Sequence, residues 1–167
     1  MQEWIECMAY SPSGDRLAIG SHDNLIYLYQ KAAQYEYLSI LKGHSSFISC
    51  LDWSLDGEVI RSNCGAYELL FFNTKTTTRL TPSDTTSKEW HTETCKFGWN
   101  VEGIYPSGTD GTHINGVDMT KNKDLIATGD DYGLLNFYRN PARPEHLARS
   151  YRGHSEHVTR VKFMCDD

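Results

Sequence analysis

The residues best equipped for chemistry are scattered along the chain. His91 and Cys95 lie four positions apart, with Cys64 upstream and His113 downstream. These types serve as zinc ligands or as a Cys–His nucleophile pair. A zinc site needs about four convergent donors, and no C-x-x-C or paired-histidine spacing brings these residues together. Packing is the expected role of all four. Gly108, Gly111 and Gly116 match neither G-x-G-x-x-G nor G-x-x-x-x-G-K-[ST], and no parallel βαβ pattern surrounds them, so they are not a phosphate cradle. Asp110-Gly-Thr112 lacks the second carboxylate that would handle a proton and reads as a turn. The sequence therefore leads to the expectation of no catalytic residues, no metal ligands, no cofactor and no enzymatic activity.

The elements that must position any binding surface are repeats. A motif of apolar, two residues, apolar, one residue, large apolar recurs as Ile5/Met8/Tyr10, Ile48/Leu51/Trp53, Ile114/Val117/Met119 and Val158/Val161/Phe163. Its last positions, 10, 53, 119 and 163, are spaced by 43, 66 and 44 residues, the middle interval holding one repeat and 23 extra residues. A period of ~40–45 residues is that of the four-stranded blade of a WD-repeat propeller. Each complete copy reads as strand, turn, strand, tight turn, strand. Gly14 and Gly57 ease the first turn, where positive φ is cheap without a Cβ, and Asp/Asn/Gly clusters at 20–24 and 129–133 mark the second. The fold class is thus all-β, about three WD-repeat blades plus the first strand of a fourth. The repeats run over 1–42, 43–89, 90–152 (an insert plus a blade) and 153–167. Three blades and a start cannot close a ring of the usual 4–8 blades, so the chain reads as an incomplete propeller whose remaining blades belong to its parent.

In such blades a Gly-His pair precedes the first strand, and the buried His bonds toward a hydroxyl and a tight-turn Asp, because buried polar groups need partners. Here the pairs are Gly43-His44 and Gly153-His154. The expected network is Ser21 and Asp23 in the first copy, and His44 and Ser62 in the second, where Ala66 holds the Asp position. In the third it is Thr128, Asp130 and Asp131, with Asp110 in place of the His. His154 opens the fourth. The Trp-Asp ending is replaced by Tyr29-Gln30, Phe72-Asn73 and Tyr138-Arg139, so the repeats are degenerate and the fold rests on register.

Net charge is −6, which disfavours nucleic acid as a partner. No apolar run approaches the ~20 residues of a membrane helix, so no membrane partner is expected. Residues 1–10 lack a signal-peptide pattern, and the sequence holds no Asn-x-Ser/Thr sequon. Cys7, Cys50, Cys64, Cys95 and Cys165 are odd in number and unpaired in spacing, fitting reduced thiols in the cytoplasm. One stretch departs from the acidic balance. Arg139, Arg143, Arg149, Arg152, Arg160 and Lys162 face only Glu145 and Glu156, a basic stripe able to meet an acidic protein partner, or a solvated loop and outer strand. Trp99 and Tyr105, in the insert, are further candidate binding anchors.

The insert carries a family resemblance. Trp90, Thr94, Cys95 and Gly98 precede Val101-Glu-Gly-Ile-Tyr-Pro106 and Ser-Gly-Thr-Asp-Gly-Thr-His-Ile-Asn115. Thr128-Gly-Asp-Asp131 with Gly133, and Gly153-His-Ser-x-His-Val-Thr159, follow. In this combination the chain resembles the echinoderm microtubule-associated protein-like proteins over essentially its whole length. Tyr105 stands where the family usually has Trp, and His113 where Asp is common. The resemblance implies tandem atypical propellers in a cytoskeletal scaffold that associates with tubulin or microtubules, on cytoplasmic microtubules or a ciliary axoneme. The alternative is a generic WD-repeat adaptor, serving ciliary transport or ubiquitin ligation, for which the resemblance reports fold alone.

Overall fold

The computed structural model describes residues 3–105 and 113–164. The Asp110-Gly-Thr112 turn, Gly108 and Cys165 lie outside the described residues. Among the described residues, twelve strands form three four-stranded antiparallel meanders. The first holds β1 (Ile5–Tyr10), β2 (Arg16–Ser21), β3 (Ile26–Gln30) and β4 (Glu36–Leu41). The second holds β5 (Ile48–Trp53), β6 (Val59–Cys64), β7 (Leu69–Asn73) and β8 (Arg79–Leu80). The third holds β9 (Ile114–Met119), β10 (Leu125–Asp130), β11 (Leu134–Arg139) and β12 (Arg149–Arg152). The chain divides into two compact units, Met1–Cys95 with the first two sheets and Lys96–Asp167 with the third. No helix among the described residues is long and apolar enough to cross a membrane.

Register repeats as closely as sequence. In every sheet the first strand carries one irregularity at the same place, skipping a residue between Ile5 and Cys7, Ile48 and Cys50, and Ile114 and Gly116. The first hairpin turn repeats too: Gly14 and Gly57 sit at φ 72 and 70°, and the corresponding Lys123 at φ 63°. A side chain there costs roughly 1–2 kcal/mol, so the third copy tolerates at Lys123 what the first two avoid with glycine.

Within the first unit the two sheets pack face to face. Ala18, Ile26, Leu28 and Leu41 of the first sheet meet Ile48, Leu51, Trp53, Ile60, Leu70 and Phe72 of the second in one buried cluster. Alternation along a strand sends every second residue to the opposite face, so Val59, Arg61, Asn63 and Phe71 point the other way. All six residues of β6 are nonetheless buried, because residues 90–95 cover that second face: the Trp90 ring lies 4.4 Å from the Arg61 guanidinium carbon and 6.0 Å from the Phe71 ring. In the second unit, Val101 and Ile104 of the 3-10 helix Trp99–Ile104 pack with Ile114, Val117, Ile126, Tyr138 and Ala142. Residues 153–164 form no paired strand, yet Val158 is buried against the third sheet.

The close approach of one repeat to the next is made through glycine. A Cβ on Gly20 would lie 2.6 Å from Ile48 Cγ2, and one on the corresponding Gly129 would lie 2.5 Å from Val158 Cγ1. Ile48 and Val158 hold the same position in the second and fourth repeats, so segment 158–163 rests on the third sheet as β5 rests on the first. Overpacking of this kind costs about 1–3 kcal/mol. Gly20→Ala and Gly129→Ala are each expected to lower stability by that amount in denaturant unfolding of the intact protein; unchanged midpoints for both would remove the glycine contact as a packing requirement.

Candidate functional site

Two groups of side chains stand out once the sheets are in place: polar networks that tie loops to sheet ends, and the charged outer edge of the third sheet.

His44 enters from the loop before β5 with its side chain 1% exposed. Its Nε2 lies 2.7 Å from Ser62 Oγ, joining the pair expected from the sequence. The carboxylate that the sequence lacks at Ala66 is supplied by Glu68, just before β7. Glu68 Oε2 lies 3.3 Å from His44 Nδ1 and accepts the Ser45 N–H at 2.9 Å and the Cys64 thiol at 3.0 Å. The Ser45 N–H, with the Cys64 and His44 bonds, holds the Glu68 carboxyl down at about 2 from its ordinary 4.5. Burial pushes His44 below its ordinary value, against the pull of Glu68, and burial followed by Glu68 pushes the Cys64 thiol up. Nothing in the WD-repeat pattern pointed to Glu68, which stands two residues beyond the usual position.

The other expected network residues are placed differently. In the first sheet Asp23 accepts the Tyr27 hydroxyl at 2.6 Å and the Leu25 N–H at 3.3 Å, while buried Ser21 Oγ accepts the Asp23 N–H only at 3.5 Å. In the third, Asp130 accepts the Tyr132 and Leu134 N–H groups, each at 2.9 Å, and the Asn136 amide at 3.1 Å. Asp131 accepts the Asn115 amide at 2.8 Å and lies 2.9 Å from His157 Nδ1. The buried Thr128 hydroxyl has no hydrogen-bond partner among the described residues. His154 is exposed. A latch histidine bonds to the sheet its repeat opens, and residues 153–164 open no paired sheet among the described residues.

The most heavily bonded group was not anticipated. Asp52, fully buried in β5, accepts Arg61 Nε and Nη2 at 3.1 and 3.0 Å. It also accepts the Thr92 hydroxyl at 2.6 Å, the Thr94 hydroxyl at 2.9 Å and the Thr94 and Cys95 N–H groups at 2.9 and 3.0 Å. Arg61 also donates to the buried Glu93. Burial opposes the Arg61 charge, but Asp52 and Glu93 outweigh it and hold the guanidinium pKa above its ordinary value. Asp118 does the matching work in the third sheet, accepting the Phe163 N–H at 2.7 Å and Lys162 Nζ at 2.7 Å. The available signal was a carboxylate directly before the large apolar residue in both copies, Asp52-Trp53 and Asp118-Met119. Cys95 is fully buried, donating its thiol to the Arg61 carbonyl at 3.8 Å, and His91 is exposed. The two do not form a pair.

The basic stripe is an edge. Among the described residues β12 pairs only with β11, and it is exposed at all four positions. Arg139, Arg143, Arg149, Arg152 and Arg160 are exposed, and Lys162 is exposed while ion-paired to Asp118. Opposite pairs place Phe137 by Arg149 and Leu135 by Tyr151, so both arginine and apolar side chains share one face. With Leu125, Arg139 and Leu147 they line an open groove. Arg143 is fixed by its backbone: Gly103 donates to the Ala142 carbonyl at 2.9 Å, Ala142 donates to the Asn100 carbonyl at 2.7 Å, and a Cβ on Gly103 would lie 2.3 Å from Arg143 backbone atoms. Of the two candidate anchors in the insert, Trp99 is 54% exposed. Tyr105 is engaged internally, its hydroxyl donating to the Lys96 carbonyl at 3.0 Å and its ring stacked on Phe97.

Two outcomes are expected of these networks. Arg61→Met leaves Asp52 and Glu93 buried without their cation, and breaking a buried pair this way costs about 3–5 kcal/mol; thermal unfolding of the intact protein reads the loss, and a change under 1 kcal/mol would contradict the role assigned to Arg61. The second concerns acid. Both Glu68 and His44 have folded pKa values below their ordinary ones, so the unfolded chain takes up protons first. Their stabilisation is complete above pH 6.5 and falls with pH, for Glu68 between 4.5 and about 2. The unfolding midpoint of Glu68→Gln should therefore depend less steeply on pH across that lower window than that of the parent.

Comparison with known proteins places the chain. The family model of the echinoderm microtubule-associated protein second beta-propeller matches residues 1–167. The ciliary WD repeat-containing protein ctxp80 of Euplotoides octocarinatus is 58% identical over 164 residues, covering 96% of this chain and 23% of that protein. Echinoderm microtubule-associated protein-like 1 of Homo sapiens is 42% identical over 173 residues, covering 99% of this chain and 21% of that protein. The chain therefore spans under a quarter of the length of these two relatives. Among solved structures, the β-propeller domain of Myceliophteria thermophila Cps50 (Swd1) superimposes with a TM-score of 0.70 at 17% identity, over 99% of this chain and 62% of that one, a likeness of fold. With the inserted segment, the repeat register and a family match from end to end, the chain belongs to the echinoderm microtubule-associated protein family, in its second β-propeller.

Proposed function

We propose that the chain is a non-enzymatic propeller scaffold that binds tubulin, microtubules or their protein partners, and that the outer edge of the third sheet is a contact surface. The observation that carries the reading is membership of a microtubule-associated family together with the basic edge. Arg149 of the outer strand β12 and Arg139 at the end of its partner β11 line one groove with exposed Leu147 and Tyr151, and Arg152 ends the same outer strand, which joins positive charge to apolar area. That mixture suits an acidic protein surface, with charge steering the encounter and apolar contact supplying adhesion. Arg143, Arg160 and exposed Trp99 extend the candidate surface, as do Lys162 and Tyr105, which also make internal contacts. A ciliary relative at 58% identity favours an axonemal as well as a cytoplasmic microtubule setting.

The test is co-sedimentation of the full-length protein with microtubules, beside a variant carrying Arg139→Gln, Arg149→Gln and Arg152→Gln. Exposed charges act over about 10 Å at 0.1 M salt. The variant is expected to bind several-fold more weakly at low salt, with the difference narrowing as salt rises. Equal pelleting of a folded variant at every salt would place the contact elsewhere in the protein.

A further inference from the structure

We propose that His44 Nδ1, Cys64 Sγ and Glu68 Oε2 form a binding site for one divalent zinc-class cation, which clips the loop before β5 to the turn between β6 and β7. All three donor atoms lie within 4.8 Å of one another. Nδ1 and Sγ stand 3.3 and 3.0 Å from the carboxylate oxygen. Tetrahedral zinc with bonds of about 2.0–2.3 Å to nitrogen, oxygen and sulfur separates its ligands by roughly 3.3–3.6 Å. The His44–Glu68 pair already stands at that separation, the Cys64–Glu68 pair would part by about half an ångström, and the third separation lies within 4.8 Å. Cys64 ends β6, Glu68 precedes β7 and His44 lies in the loop before β5. One hairpin end thus supplies two ligands and the neighbouring loop the third.

The donor set selects the ion class. A thiolate with an imidazole and a carboxylate is a borderline-soft set, suited to zinc or cobalt and poorly suited to calcium or magnesium. Thiolate and carboxylate together balance the dication, so the partly buried site carries no net charge. Binding releases one proton, from the Cys64 thiol to solvent, as the metal–sulfur bond forms. His44 is already oriented for the task. Its other nitrogen lies 2.7 Å from Ser62 Oγ, the outer hydrogen bond that metal-bound histidines almost always make. A hydroxyl both donates and accepts, so Ser62 can accept Nε2–H when Nδ1 turns its lone pair to the metal. The Glu68 side chain is 33% exposed, which leaves an entry path and a fourth position for water. This chain has Ala66 where the usual Asp would stand, with Cys64 and Glu68 to either side.

The experiment is titration of the metal-free full-length protein with Co2+ and Zn2+, read by absorption and by mass-spectrometric alkylation of the Cys64 peptide. Co2+ is expected to give a near-ultraviolet sulfur-to-metal charge-transfer band that is lost in Cys64→Ser, and Zn2+ to slow alkylation of Cys64 about tenfold or more. Ser62→Ala should weaken the affinity roughly 10–100-fold, the usual cost of losing an outer hydrogen bond to a ligating histidine. A band that survives Cys64→Ser, or Cys64 alkylation unchanged by Zn2+, overturns the site. The alkylation arm uses the unaltered protein, so the proposal stays testable if Cys64→Ser fails to fold.

Discussion

A guanidinium buried on the far face of a sheet dictates much of the first unit. Arg61 lies in β6, a strand with no exposed residue, and a charge without water must be paired and hydrogen-bonded. Asp52 is its cross-strand neighbour, and Glu93 comes from the segment that follows the second sheet. The pair therefore does more than neutralise charge: it obliges residues 90–95 to lie across the sheet, where Trp90 seals the guanidinium and the Thr94 and Cys95 N–H groups complete the Asp52 shell. A buried ion pair adds little net stability over an apolar substitute. What it supplies here is position, since no apolar contact would specify which backbone groups must arrive.

The same device recurs with different chemistry. Asp118 receives Phe163 N–H as Asp52 receives Cys95 N–H. In the first sheet the matching residue is Ala9, and the bond runs instead from the Trp53 indole to the Ala9 carbonyl at 3.1 Å. The requirement conserved along the chain is that the next segment be hydrogen-bonded at this point of the sheet; the atoms that meet it vary. Loop latches vary in the same way, Glu68 standing in for the carboxylate missing at Ala66. Degenerate repeats can hold one backbone geometry where a neighbour answers for a lost side chain, as Glu68 does for Ala66 and the Trp53 indole does at Ala9.

Such a frame is suited to presenting surfaces. Buried carboxylates such as Asp52 and Asp118 are spent on internal bonds, and the arginines of β12 stay exposed at its edge. The formal charge of −6 hides this, because the acidic residues are spread through turns and networks while the arginines of 139–160 lie close together in the chain. Family membership accounts for the fold; on this chain the edge of the third sheet carries both exposed charge and apolar area.

The all-β fold of about three WD-repeat blades and the insert that precedes the third were legible in the sequence, because apolar spacing at the repeat period is a direct consequence of burying alternate residues in every blade. The His44–Ser62 pair was legible for the same reason, being locked to that register. Glu68, Arg61, Asp52 and Glu93 were not. Arg61 and Glu93 are 32 residues apart, and a charged residue in a strand reads as solvent-facing until the segment that covers it is known. Nor could the exposure of His154 be read, since a latch histidine is buried only by the sheet it serves. Periodicity determines which residues face inward along one strand; which polar groups converge from different segments is decided only when those segments pack, because desolvation and hydrogen bonding depend on distances that no spacing in the chain records.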